Sequence, residues 1–442
     1  MKKYLYGFGG LCYSVISQTV ANYFMFFATS VLGMGGTIVG IALAVSTVWD
    51  GVSDTIVGYI SDNYSLGRLG KRNGYMLIAT VGMAIANLFL WCVPLNFSEG
   101  VKFLWILIFL LVLETFNTMF STPYMALGNE IVLTENERTK VGAINTIFYL
   151  IGMITSRVLM MIFLPSTDKY PIGQLNPAGY VKIALFTSLI CLICGLVSSI
   201  FTLSKTSYKF RTKNKLTLSL LWSNFLTAFK DKRVSKIIWG YVLTSVATVI
   251  LCSVGLHFFT YSMFYKSTQI TMLLLTLLLG TIISQPMWVA LSKKNKKNTL
   301  ITGIIITILS VFAVIFIYIF RIDLYDVSFY LMLIAILFCG LGSGALYTLP
   351  TSIYGDAIMR ISKDGSLNAT YSSTMTFAGN MASSIAGLIV GIMLDVIGFD
   401  AEKQVQSLFT QSGLAIILFV GIQLSLILAC LIFSKHKENT SI

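Results

Sequence analysis

This chain is poor in charge, in histidine and in paired cysteines, and each shortage closes off a class of function. Asp, Glu, Lys and Arg make up only 11% of the 442 residues, and two residues are His. A soluble domain carries roughly a quarter of its residues charged, so a soluble protein is excluded. Cys191-x-x-Cys194 is the one close cysteine pair, and it has neither a second pair nor a companion His, which argues against a zinc or redox site. The seven cysteines fall almost wholly in apolar runs and read as helix filler. Gly340-Leu341-Gly342-Ser343-Gly344 and Gly33-Met34-Gly35-Gly36 abut apolar runs and lack a following Lys-Ser/Thr pair. They read as a close helix contact and a tight turn, not as phosphate-cradling loops. No nucleophile–base constellation is visible. The chain is therefore not expected to be an enzyme, to carry a cofactor or to be driven by ATP.

What the chain has in abundance is apolar sequence, 56% of its length. Runs long enough to cross about 30 Å of hydrocarbon fall at 5–30, 37–62, 74–97, 102–127, 140–164 and 179–203. Six more follow at 236–264, 269–292, 299–320, 327–352, 370–396 and 407–434. The fold class is thus an all-α membrane protein of twelve transmembrane helices in two six-helix bundles, 1–203 and 236–442, joined by a cytoplasmic linker, 204–235. The N-terminal Met-Lys-Lys followed by an apolar run resembles a signal peptide, but the run is long, carries Gln18 and Asn22, and reads as a retained first helix. Within the linker, Leu216–Phe229 is either a short amphipathic helix on the membrane surface or a solvated connection.

The net charge of +13 raises nucleic acid as a partner, but the basic residues lie in short loops between apolar runs. With both termini placed in the cytoplasm, 24 of the 31 Lys and Arg fall on the inner side and 6 on the outer. That is the positive-inside distribution of a plasma-membrane or inner-membrane protein. Arg157 alone lies inside a span. The halves repeat weakly. Pro123 is followed by Gly128 and Glu130, Pro350 by Gly355 and Asp356, and Asp54…Asp62 aligns with Gln285…Lys293 at an offset of 231. Parallel repeats of this kind are a transporter pattern, with a midplane site between halves.

Two acids stand out inside the second span. Asp50 and Asp54, in Trp49-Asp50-Gly51-Val52-Ser53-Asp54, lie four residues apart and so on one helical face. A charge at bilayer depth costs about 2.5–3.5 kcal/mol on insertion scales. Two neighbouring carboxylates cannot both stay ionised without a counter-charge, so one takes a proton or both share a cation. A Na⁺ or H⁺ site follows; the alternative is a structural salt bridge to a basic residue elsewhere.

The sequence around these acids, with Gly58, Asp62 and Gly67-Arg68-Leu69-Gly70-Lys71-Arg72, resembles the second-helix signature of the glycoside–pentoside–hexuronide:cation symporters of the major facilitator superfamily. Tyr6-Gly7-Phe8-Gly9, Pro123-Tyr124-x-Ala126-Leu127-x-x-Glu130 and Glu137-Arg138 agree with the same family. The resemblance implies sugar uptake driven by sodium or protons through a fold that opens alternately to either side. It implies Asp50 and Asp54 as cation-coupling carboxylates, with Ser121 where the family has a third acid. It also implies a latch at the inner surface made by Asp62 with Arg68, Lys71 and Arg72; Glu130, Arg138 and Asp356 lie at the same surface. The sugar clamp of the family is replaced: its first-helix Asp by Ser14, its fifth-helix Arg by Thr146, its eleventh-helix Lys by Ala378 or Asn380. Lysophosphatidylcholine symporters resemble the same signature, so an amphipathic or apolar solute stands as the alternative to a glycoside.

Two further charges could replace the missing ones. Glu114 and Arg157 are expected to pair across the cavity, either as part of the mechanism or as a static packing contact. Cavity groups expected in the first half are Tyr13, Ser14, Gln18 and Asn22, of which 14, 18 and 22 share a face, together with Asn117 and Asn145. In the second half they are Trp288, Tyr347, Tyr371, Thr374 and Asn380, with Gln285 and His257 nearby. The alternative for each is hydrogen bonding between membrane helices. The expected partner is a small-molecule solute handled by a monomer, and a transporter-derived sensor that moves nothing is the reading from another class.

Overall fold

A computed structural model of the chain describes residues 2–64, 66, 72–131, 135–202, 231, 234–324, 327–361 and 368–435. Twelve long helices and no strand occur among them. The chain divides into two compact units, Met1–Lys215 with Asp400–Glu402, and Leu216–Phe399 with Lys403–Ile442. Eleven of the helices are long and apolar enough to cross a membrane. The remaining one, at the N-terminus, has a similar length but carries two lysines and several hydroxyl and amide groups.

The first unit holds α1 (Lys2–Phe26), α2 (Gly36–Asn63), α3 (Asn73–Trp91), α4 (Glu99–Glu130), α5 (Glu135–Phe163) and α6 (Pro177–Phe201). α3 ends well short of residue 97, where its apolar run ends, because Pro94 follows closely and disfavours helix in the residue before it. α4 instead runs straight through Pro123, as membrane helices tolerate. In lipid, apolar contact supplies no drive between helices, so polar glue and small residues do the joining. The fully buried Asn87 of α3 shows this: its Nδ2 donates to Thr187 Oγ1 (3.0 Å), Ser188 Oγ (2.9 Å) and Ala184 O (3.2 Å) of α6.

The second unit holds α7 (Ser235–His257), α8 (Ser267–Ser292), α9 (Lys296–Ile319), α10 (Ser328–Ile361), α11 (Asn368–Val396) and α12 (Leu408–Ser434). α10 passes through Pro350 and continues to Ile361, nine residues beyond the apolar run that ends at 352. The glycine-rich stretch of α10 is a close helix contact, as expected. A Cβ on Gly280 of α8 would stand 2.7 Å from Leu337 O, and one on Gly340 would strike Leu277 O. The Gly33–Gly36 stretch makes the tight turn between α1 and α2, with Gly33 at φ +68°.

The two units repeat one another more closely than the sequence shows. α1 runs into a π-helical turn at Phe27–Val31, and α7 into one at Phe258–Ser262. Phe27 and Phe258 are 231 residues apart, as are Gly36 and Ser267, the first residues of α2 and α8. Each π turn drives its first Phe into an aromatic cluster. Phe27 packs on Trp91 of α3 and Tyr180 of α6, with ring centroids 5.0 and 4.9 Å away. Phe258 packs on Tyr318 of α9 and Phe419 of α12 at 5.4 and 5.1 Å.

Candidate functional site

In the first unit, α2 and α4 face one another with a matched four-residue spacing. Thr118 Oγ1 donates to Asp50 Oδ1 (3.1 Å) and Thr122 Oγ1 donates to Asp54 Oδ1 (3.3 Å), both pairs 68 residues apart. Because i and i+4 lie one above the other on a helix, two acids on one helix meet two threonines on the next as a ladder. The frame around it is fixed by Ser53 Oγ, which donates to Thr118 Oγ1 (3.0 Å), and by Trp49 Nε1, which donates to Thr115 Oγ1 (2.8 Å). Asp54, half-buried, has no Lys, Arg or His within salt-bridge distance among the described residues. A carboxylate that accepts one neutral hydroxyl at depth still lacks a counter-charge.

Glu114 stands one turn along α4 from Thr118 and within electrostatic reach of both aspartates. Its Oε2 accepts from Asn117 Nδ2 at 3.3 Å, and Asn117 Oδ1 is buried without a partner. The three acids do not converge on one point: among the described residues no group of three or more His, Cys, Asp or Glu is close enough to hold a metal ion. A monovalent ion held by Asp50, Asp54 and the two threonines, or a proton, is what this donor set suits.

Ser121 is half-buried and makes no hydrogen bond among the described residues; Thr118 and Thr122 on either side of it reach the acids instead. Their signal in the sequence is their spacing, Thr-x-x-x-Thr, which matches Asp-x-x-x-Asp. Glu114 and Arg157 do not pair. Glu114 is turned to Asn117, while Arg157 Nη1 donates to Met153 O of its own helix at 2.9 Å and its buried Nε has no partner. Each guanidinium or carboxyl reaches only about one turn from its backbone, and the two lie on helices that here present them to different neighbours.

α1 and α5 bring together three of the expected cavity residues, with Tyr149 as an addition. Gln18 Nε2 donates to Tyr149 Oη (3.2 Å), and Tyr13 packs on the Tyr149 ring at 5.5 Å and on Tyr124 at 6.0 Å. Asn145 Oδ1 accepts from Tyr124 Oη at 2.8 Å. Asn22, buried, donates back to Gln18 O. Ser14 is fully buried, bonded to Leu11 O of its own helix and packed against Gly152, where no Cβ would fit. Thr146 likewise bonds Gly142 O of its own helix.

In the second unit, Trp288 is 1% exposed and its Nε1 donates to Leu341 O at 2.8 Å, a packing contact between α8 and α10. Tyr347 of α10 is 58% exposed, Thr374 is buried and Asn380 half-buried in α11. His257 is fully buried with Nδ1 against Ser253 O and its ring edge-on to Phe399. At the helix ends, Lys296 Nζ and Asp356 Oδ2 form an ion pair of 2.5 Å between α9 and α10. Arg72 Nη1 donates to Ser61 Oγ (3.1 Å). Arg68, Lys71, the linker stretch Leu216–Phe229, and the side chains of Asp62, Glu130, Arg138 and Tyr371 lie outside the described residues.

A sequence model of the family described as MFS/sugar transport protein matches residues 5–437. Sodium-dependent lysophosphatidylcholine symporter 1 of Xenopus tropicalis is 22% identical over 469 residues, covering 99% of this chain and 87% of that protein. The isoprimeverose transporter of Lactiplantibacillus pentosus is 24% identical, covering 70% and 62%. Among solved structures, a D-xylose–proton symporter superposes with a TM-score of 0.68 at 13% identity, covering 99% of this chain and 98% of that one. A nucleoside transporter superposes at 0.66 and 16%, covering 99% and 100%.

Proposed function

The chain belongs to the MFS/sugar transport protein family of the major facilitator superfamily, whose members here are transporters and not enzymes, and from that premise we propose that it is a cation-coupled symporter with its ion site at Asp50 and Asp54. The observation that carries the reading is the ladder itself: two acids at membrane depth, one turn apart, each given a threonine hydroxyl by α4. Hydroxyl oxygens and carboxylates together supply the hard oxygen ligands that a small cation needs. Binding of one Na⁺ or H⁺ offsets one of the two negative charges, which lowers the cost of carrying the acid pair through the cycle.

For the solute we favour an amphipathic molecule of lysolipid type over a sugar, which stays as the second reading. Supporting this, a relative that this chain matches over 99% of its length is named for lysophosphatidylcholine. In addition, the residues at two positions of the sugar clamp, Ser14 and Thr146, spend their hydroxyls on their own helices. In favour of the sugar stand the family description and the isoprimeverose transporter.

The test is thermal unfolding of the purified protein at constant ionic strength in sodium, lithium or potassium, and across pH. Selective binding of an ion raises Tm. Sodium-specific stabilisation, or stabilisation on acidification, that disappears in both Asp50→Asn and Asp54→Asn is the expected result. Identical curves in all salts and at all pH values would remove the coupling site.

A further inference from the structure

Arg157 is the Lys or Arg that lies farthest inside an apolar span from either of its ends, and it is 6% exposed. Among the described residues its only hydrogen bond runs from Nη1 to Met153 O, one turn back on α5, and its buried Nε–H has no acceptor there. No acid pairs with it among the described residues; Glu114, the acid that could have done so, is turned to Asn117. A guanidinium is always protonated and offers a planar fork of donors matched to carboxylate and phosphate oxygens. A buried charge with neither an acid partner nor a full set of hydrogen bonds destabilises a protein, so its retention calls for a partner that comes and goes.

The surroundings add a second donor. Tyr149 stands eight residues before Arg157, about two turns along α5. Its oxygen accepts from Gln18 Nε2, so the O–H proton remains to be given to something else. Tyr13 and Tyr149 supply aromatic faces on the same seam of α1 and α5.

We infer that Arg157, with the Tyr149 hydroxyl, binds an oxyanion borne by the transported solute, either the phosphate of a lysophospholipid headgroup or the carboxylate of a uronide. The inference rests on the transport reading and narrows its solute to one that carries a negative group. It also assigns the two signs of charge to different helices of the first unit: the cation to α2 and α4, the anion to α5.

The experiment is equilibrium binding to the full chain in nanodiscs at fixed sodium, with no gradient, using two matched pairs. The first pair is lysophosphatidylcholine and a monoacylglycerol of the same acyl chain; the second is methyl β-glucuronide and methyl β-glucoside. The charged member of one pair is expected to bind about tenfold or more tighter than its neutral partner, and which pair responds tells phosphate from carboxylate. Arg157→Gln should bring the two members of that pair within about twofold, and Arg157→Lys should keep part of the preference, because charge remains but the fork is lost. Equal binding within both pairs by the wild type overturns the inference. So does an unchanged preference in Arg157→Gln, or loss of folding in Arg157→Gln while Arg157→Lys folds, which would mark a structural cation. Failure of the coupling reading looks different: charge preference persists while sodium and pH leave binding and stability unmoved.

Discussion

The helix pair α2/α4 and the helix pair α8/α10 are built on the same frame and finished with opposite chemistry. Asp54 and Gln285 are 231 residues apart, and each accepts a hydrogen bond from a threonine on the facing helix: Thr122 at 3.3 Å, Thr348 at 2.6 Å. There the likeness ends. A carboxylate accepts only, so Asp54 needs a proton or a cation to complete it. Gln285 carries its own donor, and Nε2 gives it to Gly344 O at 3.1 Å. One turn away, Asp50 corresponds to Thr281, which bonds Ser343 Oγ and Gly340 O and needs no counter-charge either. The second unit thus closes with internal hydrogen bonds the position at which the first unit keeps a carboxylate. On this reading coupling belongs to the first unit alone.

The sharpest way to break the contrast is to give the second unit an acid. Gln285→Glu keeps the acceptor for Thr348 but strips the donor to Gly344, leaving a carboxylate at depth with no cation frame around it. The expected cost is about 2.5–3.5 kcal/mol at neutral pH. That deficit should shrink as the solution is acidified and the carboxyl takes a proton, read as the gap in Tm between variant and wild type. A variant that instead gained a second sodium response would show the two frames to be equivalent.

Packing gives a smaller effect. A Cβ on Gly280 would stand 2.7 Å from Leu337 O, whereas one on Gly58 meets only Thr122 Cγ2 at 3.7 Å, an ordinary contact. Gly280→Ala is therefore expected to destabilise by about 1–3 kcal/mol through overpacking. Gly58→Ala should be neutral or stabilise by up to about 1 kcal/mol through helix propensity. Comparable losses in both would mean that the acid-bearing pair is as tightly closed as its counterpart.

The smallest and most selective change is the loss of a single hydroxyl. Thr118→Val and Thr348→Val should each lower stability by about 1 kcal/mol, the net worth of a hydrogen bond. Only Thr118→Val should also weaken the sodium response, by about fivefold to tenfold at that energy. The midpoint of sodium-dependent stabilisation measures this directly. An equal shift in both variants would place the ion elsewhere.

The twelve helices were legible because a hydrocarbon span needs about twenty apolar residues whatever its neighbours are. Asp50 and Asp54 were legible for a related reason: a charge in such a run is conspicuous. Thr118 and Thr122 carry only the weak signal of a matching four-residue spacing, since threonines in a membrane helix commonly bond their own backbone. The ends of α3 and α10 show the same limit. Proline stopped one helix and was absorbed by the other, depending on the packing around it.

From the sequence alone came the membrane class, the number of long apolar spans, the register of 231 between the second and eighth spans and the two acids whose spacing puts them on one face. All of these follow from composition and helical period, which act within a segment. The tertiary structure decided which hydroxyls face the acids, that Glu114 turns to Asn117 and leaves Arg157 without an acid among the described residues, and that Gln285 finds both a donor and an acceptor on α10. Those outcomes depend on the distance between side chains on different helices, a quantity that periodicity along one helix does not contain.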